Sequence, residues 1–279
     1  MNKVLVTGSS GFIGSYLSGY LKVNNFDVKM LDAEYFQDKD WKSSLLNQLN
    51  DLDPETIFHV GACSNTLEND VQFMMIQNYE STKLISDWCS KYGKKMVYSS
   101  SAANYGVEGK FPSNLYGWSK YVAENYVCKS GGVALRYFNV YGPGEENKGR
   151  MASFLYQAFV LQENGETVTL FPGNPTRDFV YIKDVASANL FAAMNYVGLS
   201  GRFYDVATTE SESFEEVLRL ASIEFSYRSE STIPNGYQFY TCGNSGNWMP
   251  GWEPKYHLKR GVAEYLEYLH SRDGTKLAL

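Results

Sequence analysis

The 279-residue sequence has three histidines, and they stand far apart. His59, His257 and His270 share no ligand spacing with one another or with the cysteines, so no metal site is expected. The four cysteines, Cys63, Cys89, Cys128 and Cys242, form no C-x-x-C and no close pair. They read as free thiols in a reducing compartment and exclude a disulfide-stapled scaffold. No apolar run approaches the roughly 20 residues that span a bilayer. The first residues lead directly into a strand, with no signal-peptide core. Neither a membrane span nor export is expected, and the chain reads as cytoplasmic. A Lys/Arg run is missing too, and the net charge of −6 argues against a nucleic-acid partner. An anionic ligand would have to be held by local cations and backbone N–H groups. No internal repeat or low-complexity tract is found.

What is present is ordinary for a soluble globular chain: 44% hydrophobic and 20% charged residues. The length suits one large domain or two intimate ones. Aromatics are plentiful, with 22 Tyr, 16 Phe and 5 Trp, which suits a cleft for sugars and bases.

Short apolar runs at residues 4–7, 28–31, 56–60, 95–99 and 133–138 alternate with helical patterns at 13–21, 41–52, 73–92, 115–127 and 151–164. That alternation predicts an α/β fold, a Rossmann-type doubly wound parallel sheet with helices on both faces. Farther on, strands are expected at 167–171, 179–181 and 203–206. Helices are expected at 185–196, capped by Asp184, at 212–221 from a start near Ser211, and at 261–272. Residues 225–250 are turn-rich. The division expected is a dinucleotide-binding domain at 1–145, with 178–206 returning to it, and a smaller α+β substrate lobe at 146–177 and 207–279.

The first motif, Thr7-Gly8-Ser9-Ser10-Gly11-Phe12-Ile13-Gly14, lies between a strand and a helix. Gly8, Gly11 and Gly14 permit a tight turn and close approach of the backbone to a pyrophosphate. The helix start, with Phe12 and Ile13 in its first turn, offers N–H groups and the positive dipole end. Asp32 ends the second strand and would accept from the adenosine ribose hydroxyls while repelling a 2′-phosphate. NAD is the expected cofactor; Lys39 nearby leaves NADP open.

Tyr116 and Lys120 form a Tyr-x-x-x-Lys pair whose i, i+4 spacing places both on one helix face. A nearby ammonium, or a cationic nicotinamide, can depress a tyrosine pKa from about 10 toward neutrality. A phenolate can serve as base toward a sugar hydroxyl, while Lys120 would hold the nicotinamide ribose. Ser101 follows a strand, at the end where open α/β sheets bind ligands, and is expected to hydrogen-bond the reacting oxygen.

Together, T-G-S-S-G-F-I-G, S-S-S-A-A-N-Y-G (99–106), Y-G-W-S-K (116–120) and R-Y-F-N-V-Y-G-P-G (136–144) resemble the extended short-chain dehydrogenases/reductases acting on nucleotide sugars. Within that group the strongest resemblance is to the ADP-L-glycero-D-manno-heptose 6-epimerases. It is carried by I-F-H-V-G-A-C-S (57–64), N-K-G-R-M-A-S (147–153) and R-D-F-V-Y (177–181). The resemblance implies that Ser101, Tyr116 and Lys120 are catalytic and that Lys148 is a second acid/base on the opposite sugar face. It places Asn139 at the substrate, Arg177 near a diphosphate and Asn78 beneath the active site, among the cofactor-binding residues. It also implies a nucleotide-diphosphate sugar as substrate, and a homo-oligomer through the helices at 73–92 and around Tyr116. Arg150 stands where the heptose epimerases carry a small residue, and the region after the second strand is short, so the sugar stays open.

Other outcomes on this scaffold are a nucleotide-sugar 4-epimerase, a dTDP-4-dehydrorhamnose-type reductase and a dehydratase. A dehydratase needs acidic partners beside the strand-end hydroxyl, whereas Ala102 and Ala103 follow Ser101. A non-catalytic dinucleotide-binding protein is the alternative of a different class, against which the intact Ser101, Tyr116 and Lys120 set argues.

Overall fold

The computed structural model describes residues 2–107, 109–233 and 237–271. Among these residues the strands are, in chain order, β1 (Lys3–Thr7), β2 (Asp27–Leu31), β3 (Thr56–His59), β4 (Lys95–Ser101), β5 (Val133–Tyr137), β6 (Asn139–Tyr141), β7 (Val168–Leu170), β8 (Thr176–Tyr181), β9 (Arg202–Val206), β10 (Ser211–Ser213) and β11 (Phe225–Tyr227). The helices are α1 (Phe12–Val23), α2 (Trp41–Leu52), α3 (Val71–Met75), α4 (Ser81–Tyr92), α5 (Leu115–Lys129), α6 (Phe154–Glu163), α7 (Ile182–Met194), α8 (Tyr196–Leu199), α9 (Phe214–Leu220) and α10 (Leu258–Ser271).

Two compact units result. The first runs to Tyr137 and takes in Ala186–Asp205 and Met249–Trp252; the second holds Phe138–Val185, Val206–Trp248 and the chain from Glu253. The six-stranded sheet has the order β2-β1-β3-β4-β5-β9, and β1, β2, β3, β4 and β5 pair in parallel. This is the doubly wound α/β arrangement expected from the alternation of strands and helices. β3 and β5 are buried along their whole length, which is why they read as continuous apolar runs rather than alternating ones. Leu45 and Leu49 of α2 and Ile85 and Trp88 of α4 cluster with Leu5, Ile57, Met96 and Ala134 of the sheet. The site described below stands at the C-terminal ends of β1, β3 and β4.

In the second unit β8 pairs in parallel with β6 and antiparallel with β10, and β11 lies parallel to β7. Pairing of β8 with β6 draws residues 178–185 into this unit, where the sequence reading put them with the first, and the units part after Tyr137 rather than near 145.

Local differences from the sequence expectations have physical reasons. The pattern at 73–92 is helical throughout but passes from α3 to α4 through a π-helical turn, Ile76–Glu80; hydrophobic periodicity does not register one inserted residue. Asp184 does not cap a helix. It sits in the first turn of α7, and its carboxylate accepts from the N–H groups of Lys255 and Tyr256 at 3.0 and 2.8 Å. Ser211 begins β10, and Ser213 is the true cap of α9, accepting from Glu216 N–H at 3.0 Å. Arg272, the expected end of the last helix, lies outside the described residues. Among the described residues no helix is long and apolar enough to cross a membrane.

Candidate active site

The glycine loop is built for close approach. Gly8 sits at φ +64°, and a Cβ there would lie 2.5 Å from Gly61 Cα. A Cβ on Gly14 would lie 2.0 Å from the Gly8 carbonyl oxygen, so only glycine lets α1 begin this near β1. Gly11 is the N-cap of α1 and supplies no side chain to it. Phe12 is buried and Ile13 half-buried in the first turn. The helix start is thus left to backbone N–H groups, the arrangement that suits a dinucleotide pyrophosphate. Asp32 closes the loop from the next strand: its carboxylate accepts from Ser9 Oγ at 2.9 Å and from Ser10 N–H at 3.0 Å. It therefore shapes the loop.

Ser101 is the last residue of β4, and its Oγ accepts from Ala103 N–H at 3.1 Å, turning the chain into a short 3₁₀ segment. Tyr116 lies in the first turn of α5, whose N-cap Asn114 accepts from Gly117 N–H at 2.8 Å. Burial raises the Tyr116 phenol above its ordinary value, and the nearby Ser101 hydroxyl opposes that rise. The sequence reading assigned the opposing effect to Lys120. In the folded chain the Lys120 ammonium lies instead 4.4 Å from the centre of the Tyr98 ring. Burial lowers Lys120 to about 7, against a lift from Glu124 one turn on. In the folded chain it is Ser101 that counters the rise of the phenol, and a cationic ring beside it would add to that effect.

Beneath these groups, Ser100 Oγ, Asn104 Nδ2 and the Arg136 guanidinium all donate to the buried Glu124 carboxylate, at 2.6 to 3.0 Å. This network joins α5, β4 and β5 under Ser101. Asn78 is wholly buried in the π-helical turn. Its Oδ1 accepts from Cys63 N–H at 2.7 Å, and its Nδ2 donates to the Cys63 carbonyl at 3.0 Å and to Ser119 Oγ at 2.9 Å. Expected among the cofactor contacts, it is occupied by protein partners and braces the loop after β3 against α5.

The remaining candidates belong to the second unit. Lys148 lies in the loop between β6 and α6; burial pulls its ammonium below the ordinary value, opposed by the Glu145 carboxylate. Glu145 is itself fully buried and accepts from Gly142 N–H at 3.1 Å and from Ser153 Oγ at 2.8 Å, tying this loop to the start of α6. Asn139 donates to the Asp178 carbonyl at 3.1 Å and to Thr241 Oγ1 at 3.3 Å. The Arg177 guanidinium lies 5.4 and 5.5 Å from the Phe214 and Tyr237 ring centres. Phe214 and Tyr237, with Phe171, Phe154 and Arg228, line a cavity of about 230 Å³. Aromatic faces beside guanidinium groups suit a base and its phosphates.

Sequence reasoning passed over His59, Thr7, Thr82 and Tyr98. The available signal was a histidine closing an otherwise apolar strand, T-I-F-H, that is buried at all four positions.

A family model described as the NAD dependent epimerase/dehydratase family matches residues 4–207. The structure is similar to that of ADP-L-glycero-D-manno-heptose-6-epimerase from Helicobacter pylori, with 27% identity, TM-score 0.83 and 97% and 96% of the two chains covered. It is also similar to UDP-glucose 4-epimerase from Thermotoga maritima, with 24% identity, TM-score 0.84 and 96% and 99% covered. A third, dTDP-glucose 4,6-dehydratase from Bacillus anthracis, has 20% identity, TM-score 0.79 and 98% of each chain covered.

Proposed function

The chain belongs to the NAD-dependent epimerase/dehydratase family, and from that premise we propose that it is a nucleotide-sugar epimerase that oxidises a sugar hydroxyl transiently and reduces the ketone back on its other face. The observation that carries the reading is the convergence of Tyr116, near the start of α5, with Ser101 at the end of β4, close enough for the serine hydroxyl to act on the phenol, with Lys120 one turn farther along α5.

The residues fit a dinucleotide: Gly8 and Gly14 let the loop fold tightly on its own backbone, the start of α1 carries no side-chain cap on its N–H groups, and Asp32 directly follows the second strand. Bound NAD supplies the hydride acceptor and afterwards the hydride donor. Ser101 holds the reacting oxygen by a hydrogen bond. Tyr116 takes the hydroxyl proton as the ketone forms, and the proton that restores the hydroxyl on the other face comes from the second acid/base named below. Lys120 holds the ribose, and its low pKa lets it pass a proton at neutral pH. The protein otherwise supplies orientation and electrostatics.

In this reading Lys148 is the second acid/base, and its lowered pKa suits that role. Arg177 and the aromatic cavity beside it take the nucleotide diphosphate, and Asn139 orders the substrate side. The likeness to the heptose epimerase and the K-G-R-M-A-S stretch make an ADP-glycero-manno-heptose the first substrate to try. Ala102 and Ala103 beside Ser101 set the dehydratase aside, since neither supplies a proton. Exposed rings at Phe73 on α3 and Trp118 on α5 support self-association through these helices; light scattering showing a monomer at working concentration would reject it.

Mass spectrometry of ligands retained by the native protein, followed by NMR of the sugar ring under turnover, tests the assignment. Inversion with no net change in added NADH supports an epimerase. Stoichiometric NADH consumption with a keto sugar would replace it by a reductase.

A further inference from the structure

One buried titratable ring has no part in the chemistry above. His59 ends β3 with 1% of its surface exposed. Its Nδ1 is 2.7 Å from Thr7 Oγ1, and its Nε2 is 2.9 Å from Thr82 Oγ1. The neighbours decide where its proton sits. Thr82 has a single hydroxyl hydrogen and donates it to the Asn78 carbonyl at 2.8 Å. Towards His59 it can only accept, so the imidazole carries its hydrogen on Nε2. Nδ1 is then the acceptor and receives the Thr7 hydroxyl hydrogen, while Thr7 Oγ1 accepts from Gly61 N–H at 3.1 Å. Four hydrogen bonds run in one direction, from Gly61 through Thr7, His59 and Thr82 to Asn78.

The surroundings keep this ring neutral. It stacks on Tyr98 with centroids 5.8 Å apart, and the Lys120 ammonium lies over that same tyrosine. Burial and the Lys120 charge hold the imidazole down at about 3. A protonated ring would carry a hydrogen on each nitrogen and break the one-way chain at Thr7.

The two ends of the chain lie at functional parts. Thr7 opens the glycine loop. Asn78 occupies the π-helical turn and donates to Ser119 on α5, between Tyr116 and Lys120. We propose that His59 is a positioning residue: a neutral imidazole, locked as its Nε2–H tautomer, that fixes the glycine loop in register with the helix carrying Tyr116 and Lys120. The inference rests on the reading of that loop and of Lys120 as NAD contacts.

The test is nitrogen NMR of the full chain labelled at its three histidines, with NAD titrations of wild type, His59→Asn and Thr82→Val. One ring should show a protonated Nε2 and an accepting Nδ1, unchanged from about pH 5 to about pH 9. Its signals should move when NAD is added and be missing in His59→Asn. Both variants should weaken NAD binding by on the order of tenfold or more. A ring that titrates near the ordinary histidine value, or that carries its proton on Nδ1, overturns the proposal. So does unchanged NAD affinity in the folded variants. If His59→Asn does not fold, Thr82→Val and the wild-type spectrum decide. A wild type that shows the locked ring and binds no NAD would sink the cofactor assignment instead.

Discussion

The Ser101 hydroxyl acts on the Tyr116 phenol although the two come from different elements, one from the last residue of a strand and the other from the first turn of a helix. Fourteen residues intervene in the chain, yet the contact is held from both sides. Asn114 caps α5 two residues before Tyr116, and the Ser101 hydroxyl itself receives Ala103 N–H. A reacting oxygen placed beside this pair would find a donor and a base together.

Removing the phenol oxygen while keeping the ring separates chemistry from binding. Tyr116→Phe is expected to lower turnover by roughly 10²–10⁴ and to leave NAD affinity within a few-fold of wild type. Ser101→Ala should cost roughly 10²-fold, since water can replace part of its hydrogen bonding. Steady-state rates with parallel NAD titrations check both, and undiminished turnover in Tyr116→Phe would remove that residue from the mechanism.

The parallel sheet, the glycine loop and the Tyr116 helix are legible in the sequence because each rests on a local signal: a buried apolar run, a glycine cluster, an i, i+4 spacing. The contacts of His59, Thr82 and Tyr98 are not, because they join residues 22 to 52 positions apart along the chain. The origin of the Tyr116 pKa is not legible in the sequence either. Spacing puts Lys120 on the same helix face, but only packing shows its ammonium over Tyr98. Ser211 and Asp184 have residue types that suit helix caps. A three-residue strand and a pair of distant N–H groups claim them instead.

Lys148 offers a cleaner division of labour. Lys148→Ala should abolish inversion while oxidation of the substrate, read as a transient reduced-cofactor absorbance, persists. Its lowered pKa implies a basic limb in the pH profile that begins below that of a solvated lysine. Normal epimerisation by the variant would reject the second acid/base.

Two glycines of α1 make a matched comparison. Gly14→Ala places a methyl 2.0 Å from the Gly8 carbonyl oxygen, so the loop must move. It should cost about 1–3 kcal/mol and most of the NAD affinity. Gly19→Ala meets nothing within 4 Å on the exposed face of the same helix. It should add about 0.5–1 kcal/mol and leave NAD binding alone. Denaturant unfolding and NAD titration of the two variants settle the contrast.

The Glu124–Arg136 pair is buried on both sides at 2.6 Å. Arg136→Met strands the Glu124 carboxylate and should destabilise by about 3–5 kcal/mol. Glu124→Gln added to it removes the stranded charge and keeps an oxygen for Ser100 and Asn104. The double variant should regain at least half of that loss. A double variant no more stable than the single would mean that the salt bridge is not what the single variant lost.

Lys120 gives stability a pH dependence whose sign is fixed. Its folded pKa is about 7 against an ordinary 10.5, so between these values the unfolded chain binds more protons than the folded one. Stability of the cofactor-free protein therefore rises with pH through this window. Below about 7 the lysine is charged in both states, and the full cost of burying that charge is present. Lys120→Met removes the cost and keeps most of the side-chain volume. The variant should melt higher than wild type below pH 7, by roughly 5 °C, and the gap should close as pH approaches 10.5. Calorimetry of both proteins without NAD across that range measures it. A gap that stays constant with pH, or one that widens upward, would show that Lys120 keeps its charge in the folded chain, and its capacity to pass a proton near neutrality would go with it.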